Sequence, residues 1–338
     1  MAKTPLQKQR RINDKAIKAA AGVRTNRKSV NVTILCVAVV ACTALFITLN
    51  TIWFHIDGFP VWSELIGWSD PITKSPSADE VQVHFIDVGQ GDSTLIKTDR
   101  YNILIDAGER DMAGKVFSYL RANSVDKLDF VICTHPHSDH IGGISSVIGE
   151  IETGTVILPQ IPDEIIPATD SYTDLLRTIE QKSLDVRYPA QNETLKLDDN
   201  TYITFLASVE NYEELNNYSI VCKLVHRDNS FLFTGDIQSE AEEAIVRSGA
   251  DVSADVLKVP HHGSTTSSSY YFLKNVRPEY AVFEVGAFND YGHPHNAVLR
   301  RYEEFGCKIY RTDRYGSVVF ISNGKDIDVV TEKTYADS

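Results

Sequence analysis

Two patterns of apolar residues divide the chain. Residues 32–54, VTILCVAVVACTALFITLNTIWF, are apolar apart from scattered Thr, Asn50 and two Cys, and they carry no charge. A helix of that length rises roughly 34 Å at about 1.5 Å per residue, enough to cross a hydrocarbon layer of about 30 Å. The run predicts a single transmembrane helix over residues 31–54. Residues 55–79 read as a linker, since SDPITKSPSADE near their end is rich in Pro, Ser and Asp.

From Val81 the rhythm shortens to period two. VQVHFIDV alternates, meets the turn signal GQGDS and is followed by YNILIDAG, which predicts a hairpin-like pair of strands. A helical stretch near 112–122, the strand KLDFVICT, a helix opening at DHIGGISSVIGEI, the strand TVILPQ and the helix SYTDLLRTIEQKS follow. The second half offers strands at TYITFLAS, YSIVCKLVHRDNSFLFTGD, ADVLKVP, YAVFEVG, CKIYRT, GSVVFIS and DIDVVT. Helices are predicted near 238–247, 268–275 and 296–304. Two strand-rich halves with helices interspersed predict an α/β (α+β) body over residues 80–338, its sheets packed face to face.

Charge sharpens the division. Residues 1–30 hold nine Lys or Arg and one acid, whereas 24 basic and 45 acidic residues follow, a balance of −21. Basic flanks stay on the cytoplasmic side of a spanning helix. The expected arrangement is therefore a cytoplasmic tail (1–30), a single-pass anchor held in the cell membrane by the lipid bilayer, and an extracytoplasmic body. An acidic body lacks the basic track with which proteins grip polynucleotides. Cys133, Cys222 and Cys307 sit in apolar contexts without a CxxC pair and read as free thiols.

Candidate chemistry gathers where apolar strands end. His135, His137, Asp139 and His140 crowd THPHSDH; residues two apart on an extended segment share a side, so His135 and His137 can pinch one cation. Asp139 and His140, opening the next helix, can reach a second. FLFTGDI ends on Asp236, a carboxylate able to bridge two ions, VPHHGS offers His261 and His262, and YGHPH offers His293 and His295. Imidazoles with carboxylates suit zinc, manganese or iron, and two such ions clamp an in-line displacement. Asp106 is the candidate to orient a ligating imidazole. Asp92 reads as turn chemistry, His84 as a core-edge or surface residue, and His226 as a surface residue of a hairpin turn.

Together, FIDVGQGDSTLI, NILIDAG, THPHSDHIGG, LFTGDI, VPHHGS and YGHPH resemble the metallo-β-lactamase superfamily, over about residues 80–332. Within it they are similar to the hydrolase domain of the ComEC-type competence proteins and their stand-alone relatives. The resemblance implies a four-layer αββα sandwich and two divalent transition-metal ions, zinc or manganese, with iron also possible. It implies His135 and His137 on the first ion, Asp139, His140 and one of His261 and His262 on the second, and Asp236 bridging. His262 is the favoured ligand, with His261 facing the substrate and His293 standing over it as a phosphate contact or proton donor. Many members carry a further His on the first ion, but here ENYEELNNYSIV places Asn216 or Asn217 in that neighbourhood, so the first ion should be weakly held.

The resulting expectation is a membrane-anchored metal-dependent hydrolase with Asp139, His261 and His293 at its reaction centre. Its partner would be a phosphodiester-type substrate, either nucleic acid or a phosphorylated small or cell-surface molecule. The alternatives are a non-catalytic metal-binding protein of the same fold and an accessory nuclease of DNA uptake.

Overall fold

The computed structural model describes residues 75–206 and 211–334, together with residues 42, 43, 45 and 46. The expected membrane helix and basic tail lie outside the described residues apart from those four. Among the described residues no helix is long and apolar enough to cross a membrane. Everything below concerns the compact unit that begins at Ser69.

The first sheet opens with β1 (Val81–Phe85), β2 (Thr94–Lys97), β3 (Asn102–Ile105), β4 (Lys127–Ile132), β5 (Glu152–Ile157) and β6 (Asp185–Arg187). Strands β1, β2 and β3 are antiparallel neighbours, and β3 through β6 run parallel. Helices α1 (Ala113–Ala122), α2 (Ser138–Ile141), α3 (Ile144–Glu150) and α4 (Asp170–Lys182) fill the connections. The second sheet holds β7 (Thr194–Lys196), β8 (Thr201–Phe205), β9 (Cys222–His226), β10 (Asn229–Phe233), β11 (Val256–Lys258), β12 (Tyr280–Phe283) and β13 (Lys308–Arg311). Its helices are α5 (Ser239–Arg247), α6 (Tyr270–Val276), α7 (Asn296–Glu304) and the single turn α8 (Thr312–Tyr315). Finally β14 (Val318–Ser322) and β15 (Ile327–Thr331) return to the first sheet, β14 beside β1.

Three apolar layers hold these elements together. Val81, Val83 and Phe85 of β1 join Phe205, Phe231, Phe233 and Phe320 between the sheets, where the rings of Phe85 and Phe320 meet edge to face at 5.7 Å. Val116, Val147 and Leu175 lie with the outer face of the first sheet, and Ile245, Phe272 and Val298 with that of the second. Helices therefore cover both sheets, giving the αββα order. Strands covered on both faces bury even their polar positions, and that is where the sequence pattern misleads.

The expected hairpin partner of β1 is not the NILI strand; β2 pairs between them. The helix expected from Asp139 onward is broken into α2 and α3. At Gly142 a Cβ would meet Ser138 O at 2.4 Å, and at Gly143 it would meet Ala107 O at 2.4 Å, so only glycine lets these backbones touch. The short strands β6 and β7 were not anticipated. His226 is buried rather than on the surface: it ends β9, and its Nδ1 lies 2.8 Å from Ser322 Oγ, which donates to Asn229 Oδ1. His84 is also fully buried, under α1, with its Nδ1 2.9 Å from the Tyr119 hydroxyl.

Burial, followed by the Lys97 charge, pushes the His84 imidazole down to about 3. The unfolded chain then binds a proton that the folded chain refuses, so stability falls as pH drops from the ordinary histidine value toward the depressed one. Urea unfolding of the wild type should lose about 2 kcal/mol more than His84→Gln between pH 8 and pH 5. Identical pH slopes for the two proteins would show that His84 is not held neutral.

Candidate metal centre

Parallel strands deliver the chemistry to one edge. Asp106 follows β3, Thr134 to His140 follow β4, Asp236 follows β10, His262 follows β11 and His293 lies beyond β12. The carboxyl ends of neighbouring parallel strands open a crevice where ligands collect.

Asp106 fixes the first group. Its Oδ1 accepts the Thr134 N–H at 2.8 Å, and its Oδ2 accepts the Thr134 hydroxyl at 2.6 Å and lies 2.8 Å from His140 Nδ1. With Nδ1 held in this way, His140 presents Nε2 to the cleft. Asp106 takes a left-handed backbone, φ 57°, to make this arrangement. The orienting role expected for it matches these contacts.

His140 Nε2 lies 3.3 Å from Asp236 Oδ2 and 3.9 Å from Asp139 Oδ2. His262 Nε2 lies 3.3 Å from each of the same two oxygens. The two Nε2 atoms and Asp236 Oδ1 are buried without a hydrogen-bond partner. Buried polar atoms are rarely left unpaired, so two unpartnered imidazole nitrogens facing the Asp139 and Asp236 carboxylates at these distances fit a cation. His135 and His137 converge beside it, Nε2 and Nδ1 3.0 Å apart.

The turn after β11 separates its two histidines. His261 and His262 both adopt φ 51°, a left-handed conformation that costs non-glycine residues on the order of 1–3 kcal/mol each. As a result His262 is buried among the carboxylates, while His261 stays at the cleft, its Nδ1 3.1 Å from Thr266 Oγ1 and its Nε2 3.4 Å from Asn216 Nδ2. Gly263 completes the turn, because a Cβ there would strike Pro294 at 2.7 Å and Phe283 at 2.8 Å.

The sequence reading missed a buried charge network behind the imidazoles. Asp92 does more than shape a turn: its Oδ1 lies 3.2 Å from His262 Nδ1, and its Oδ2 lies 2.5 Å from Lys258 Nζ and 3.7 Å from His140 Nδ1. Asp92, His140, Asp236 and His262 each place one ligand-type atom within 4.8 Å of the others. Asp92 nevertheless approaches the Nδ1 edges and is engaged by Lys258, whereas Asp139 and Asp236 face the Nε2 edges. The Nε2 side is therefore the side whose geometry fits a cation better. Glu284, also buried, accepts the Ser93 N–H at 2.9 Å and the Thr94 hydroxyl at 3.2 Å.

The field of this cluster is negative. Burial alone would lower His140 and His262, but the Asp236 and Asp92 charges raise both well above the ordinary imidazole value. Burial would raise Asp236, but His262 and His140 hold it well below the carboxylate range. A cation here would compete with protons for these imidazoles. Glu284 is pushed up to about 8 by burial and then by the Asp92 charge.

A cleft of about 340 Å³ opens over the cluster, its rim formed by Gln90, His137, Asn216, His261, Tyr291 and His293. The GQG loop does not offer all its amides to a phosphate. The Gly89 N–H is given to Asp87 Oδ1 and the Asp92 N–H to Asp139 O, while a Cβ on Gly91 would meet Asp139 O at 2.2 Å. His293 stacks on Tyr291 with centroids 5.6 Å apart, and burial, then the neighbouring His262 and His261, lower it to about 4. His295 sits aside, its Nδ1 accepting the Thr265 N–H at 3.2 Å.

Residues 86–283 match the family model of the metallo-beta-lactamase superfamily. The chain is 31% identical over 271 residues to competence protein ComA of Neisseria gonorrhoeae, covering 78% of this chain and 36% of that one. It is 26% identical over 261 residues to ComE operon protein 3 of Bacillus subtilis, covering 72% and 33%. The chain therefore spans about a third of the length of these curated relatives. Among solved structures, Igni18, a metallo hydrolase from Ignicoccus hospitalis, overlays with a TM-score of 0.45 at 19% identity, covering 71% of this chain and 98% of that one.

Proposed function

The chain belongs to the metallo-beta-lactamase superfamily of metal-dependent hydrolases, and on that premise we propose that it hydrolyses phosphodiesters at a dinuclear centre. The observation that carries this reading is the convergence of Asp139, His140, Asp236 and His262 with both Nε2 atoms unpartnered. A non-catalytic relative would have no reason to keep that donor set whole beneath an open cleft. His140, His262 and Asp139 would hold one cation, His135 and His137 the other, and Asp236 both. Two divalent cations would supply Lewis acidity at the scissile phosphate and lower the pKa of the attacking water.

The chain's own residues do the rest. Asp106 keeps His140 in the tautomer that leaves the Nε2 lone pair free, and the Glu284 carbonyl, 2.8 Å from His262 Nδ1, does the same for His262, with Asp92 Oδ1 3.2 Å away. His261 and His293 face the cleft, placed to donate hydrogen bonds to substrate oxygens. Gln90 also lines the cleft, and its Nε2 is without a partner. Competence, the word in its relative's name, favours a polynucleotide strand over a small ester as the diester. The acidic body favours a local grip on one phosphate over a long basic track. Residues 31–54 would anchor the chain in the cell membrane with residues 1–30 in the cytoplasm and the body outside.

Two experiments test this. On an aryl phosphodiester with manganese or zinc, Asp139→Ala and Asp236→Ala in the full chain should each lower turnover about 100- to 1,000-fold, Asp236→Ala at least as severely. Arg247→Ala, on the outer helix α5, should leave turnover unchanged; wild type inert toward every diester would refute the reaction class. Protease added to intact cells should release the body from the membrane, and full protection of the body would reverse the orientation.

A further inference from the structure

Lys258 is buried behind the centre, where a cation site would be expected to exclude positive charge. It ends β11 at 2% exposure, with its ammonium 2.5 Å from Asp92 Oδ2 and 3.8 Å from Asp236 Oδ1, and it donates to Gly235 O at 3.3 Å. Its close ion pair with Asp92 places a positive charge behind the centre. Glu284 does not compete for it, because both its oxygens are held by Ser93 and Thr94. An ammonium this close to Asp236 opposes a divalent cation in the same field, and low dielectric magnifies that opposition. Asp92 acts in the other direction, adding negative charge at the Nδ1 edges of both imidazoles.

We propose that Lys258 and Asp92 form a charge-balancing pair that sets how tightly the centre holds its cation, with Lys258 weakening the hold and Asp92 strengthening it. Both are positioning residues: neither reaches the Nε2 side where the cation and substrate would meet. The inference rests on the dinuclear-hydrolase reading and adds an internal control of affinity to it. A centre that grips too hard blunts the Lewis acidity of its ions, because each added anion donates charge to the metal. The pair keeps the buried Asp92 and Asp236 and the partly exposed Asp139 from doing so.

A charge cycle on the full chain tests this, using Mn2+ as the probe and electron paramagnetic resonance of free Mn2+ as the readout. Asp92→Asn should bind Mn2+ about 10-fold more weakly and Lys258→Met about 10-fold more tightly. The double variant, with both charges removed, should return to within about threefold of wild type. If the pair served only packing, all three variants would bind more weakly, and that result would overturn the proposal. Melting curves guard against a folding artefact: Mn2+ should raise the melting temperature of Lys258→Met by more than that of wild type, and an equal or smaller rise would also count against it. A wild-type chain that binds neither Mn2+ nor Zn2+ would remove the metal-centre reading itself, whereas tight wild-type binding without tightening in Lys258→Met removes only this inference.

Discussion

The structure is organised around an excess of buried carboxylate. The buried Asp92, Asp106 and Asp236 and the partly exposed Asp139 come together where the two sheets deliver their strand ends, with His140 and His262 between them. Two like charges about 4 Å apart repel by about 4 kcal/mol at an effective dielectric near 20. The protein answers this repulsion with Lys258 and with hydrogen bonds from Thr134. A divalent cation on the Nε2 side would relieve what remains. The same repulsion explains why the cluster sits at strand ends: central strands are rigid enough to hold charges that a loop would let drift apart.

Holding that arrangement demands backbone that ordinary residues avoid. Asp106, His261 and His262 all take positive φ, and their strain is met by the contacts they make possible. Glycines appear where two backbones must touch next to the centre. Gly91 lies on Asp139 O, Gly143 on Ala107 O, and Gly286 on the Gln90 N–H, where a Cβ would come within 2.6 Å. These contacts tie the β1–β2 loop, helix α2 and the loop after β12 to one another. The histidine cluster is thereby fixed from three sides.

Much of this was legible in the chain. The period-two strands, the order of helices and the gathering of His135, His137, Asp139, His140, Asp236 and the His261/His262 pair at strand ends follow from local spacing, and the place of Asp106 from its position after a strand. What the sequence hides is burial on both faces. In VLKVP, Lys258 carries no sign of enclosure, but β11 lies inside its sheet and the lysine shares the inter-sheet face with Val256, so it is buried. His84 and His226 were misread for the same reason. Asp92 looked like turn chemistry because its partners, Lys258 and His262, are more than 160 residues away in sequence. The signal that could have exposed the network was the isolated Lys three residues before the HH pair, a charge in an otherwise apolar strand.

The central claim is that the cation side of the centre is the Nε2 side, with Asp92 and Lys258 behind it. Anomalous scattering from crystals of the chain grown with Mn2+ tests it most directly. The account predicts a strong peak about 2.0–2.3 Å from His140 Nε2 and His262 Nε2 and bonded to oxygens of Asp139 and Asp236. Lys258 should remain on Asp92. A peak seated on Asp92 at the Nδ1 edges, with Lys258 displaced, would contradict it.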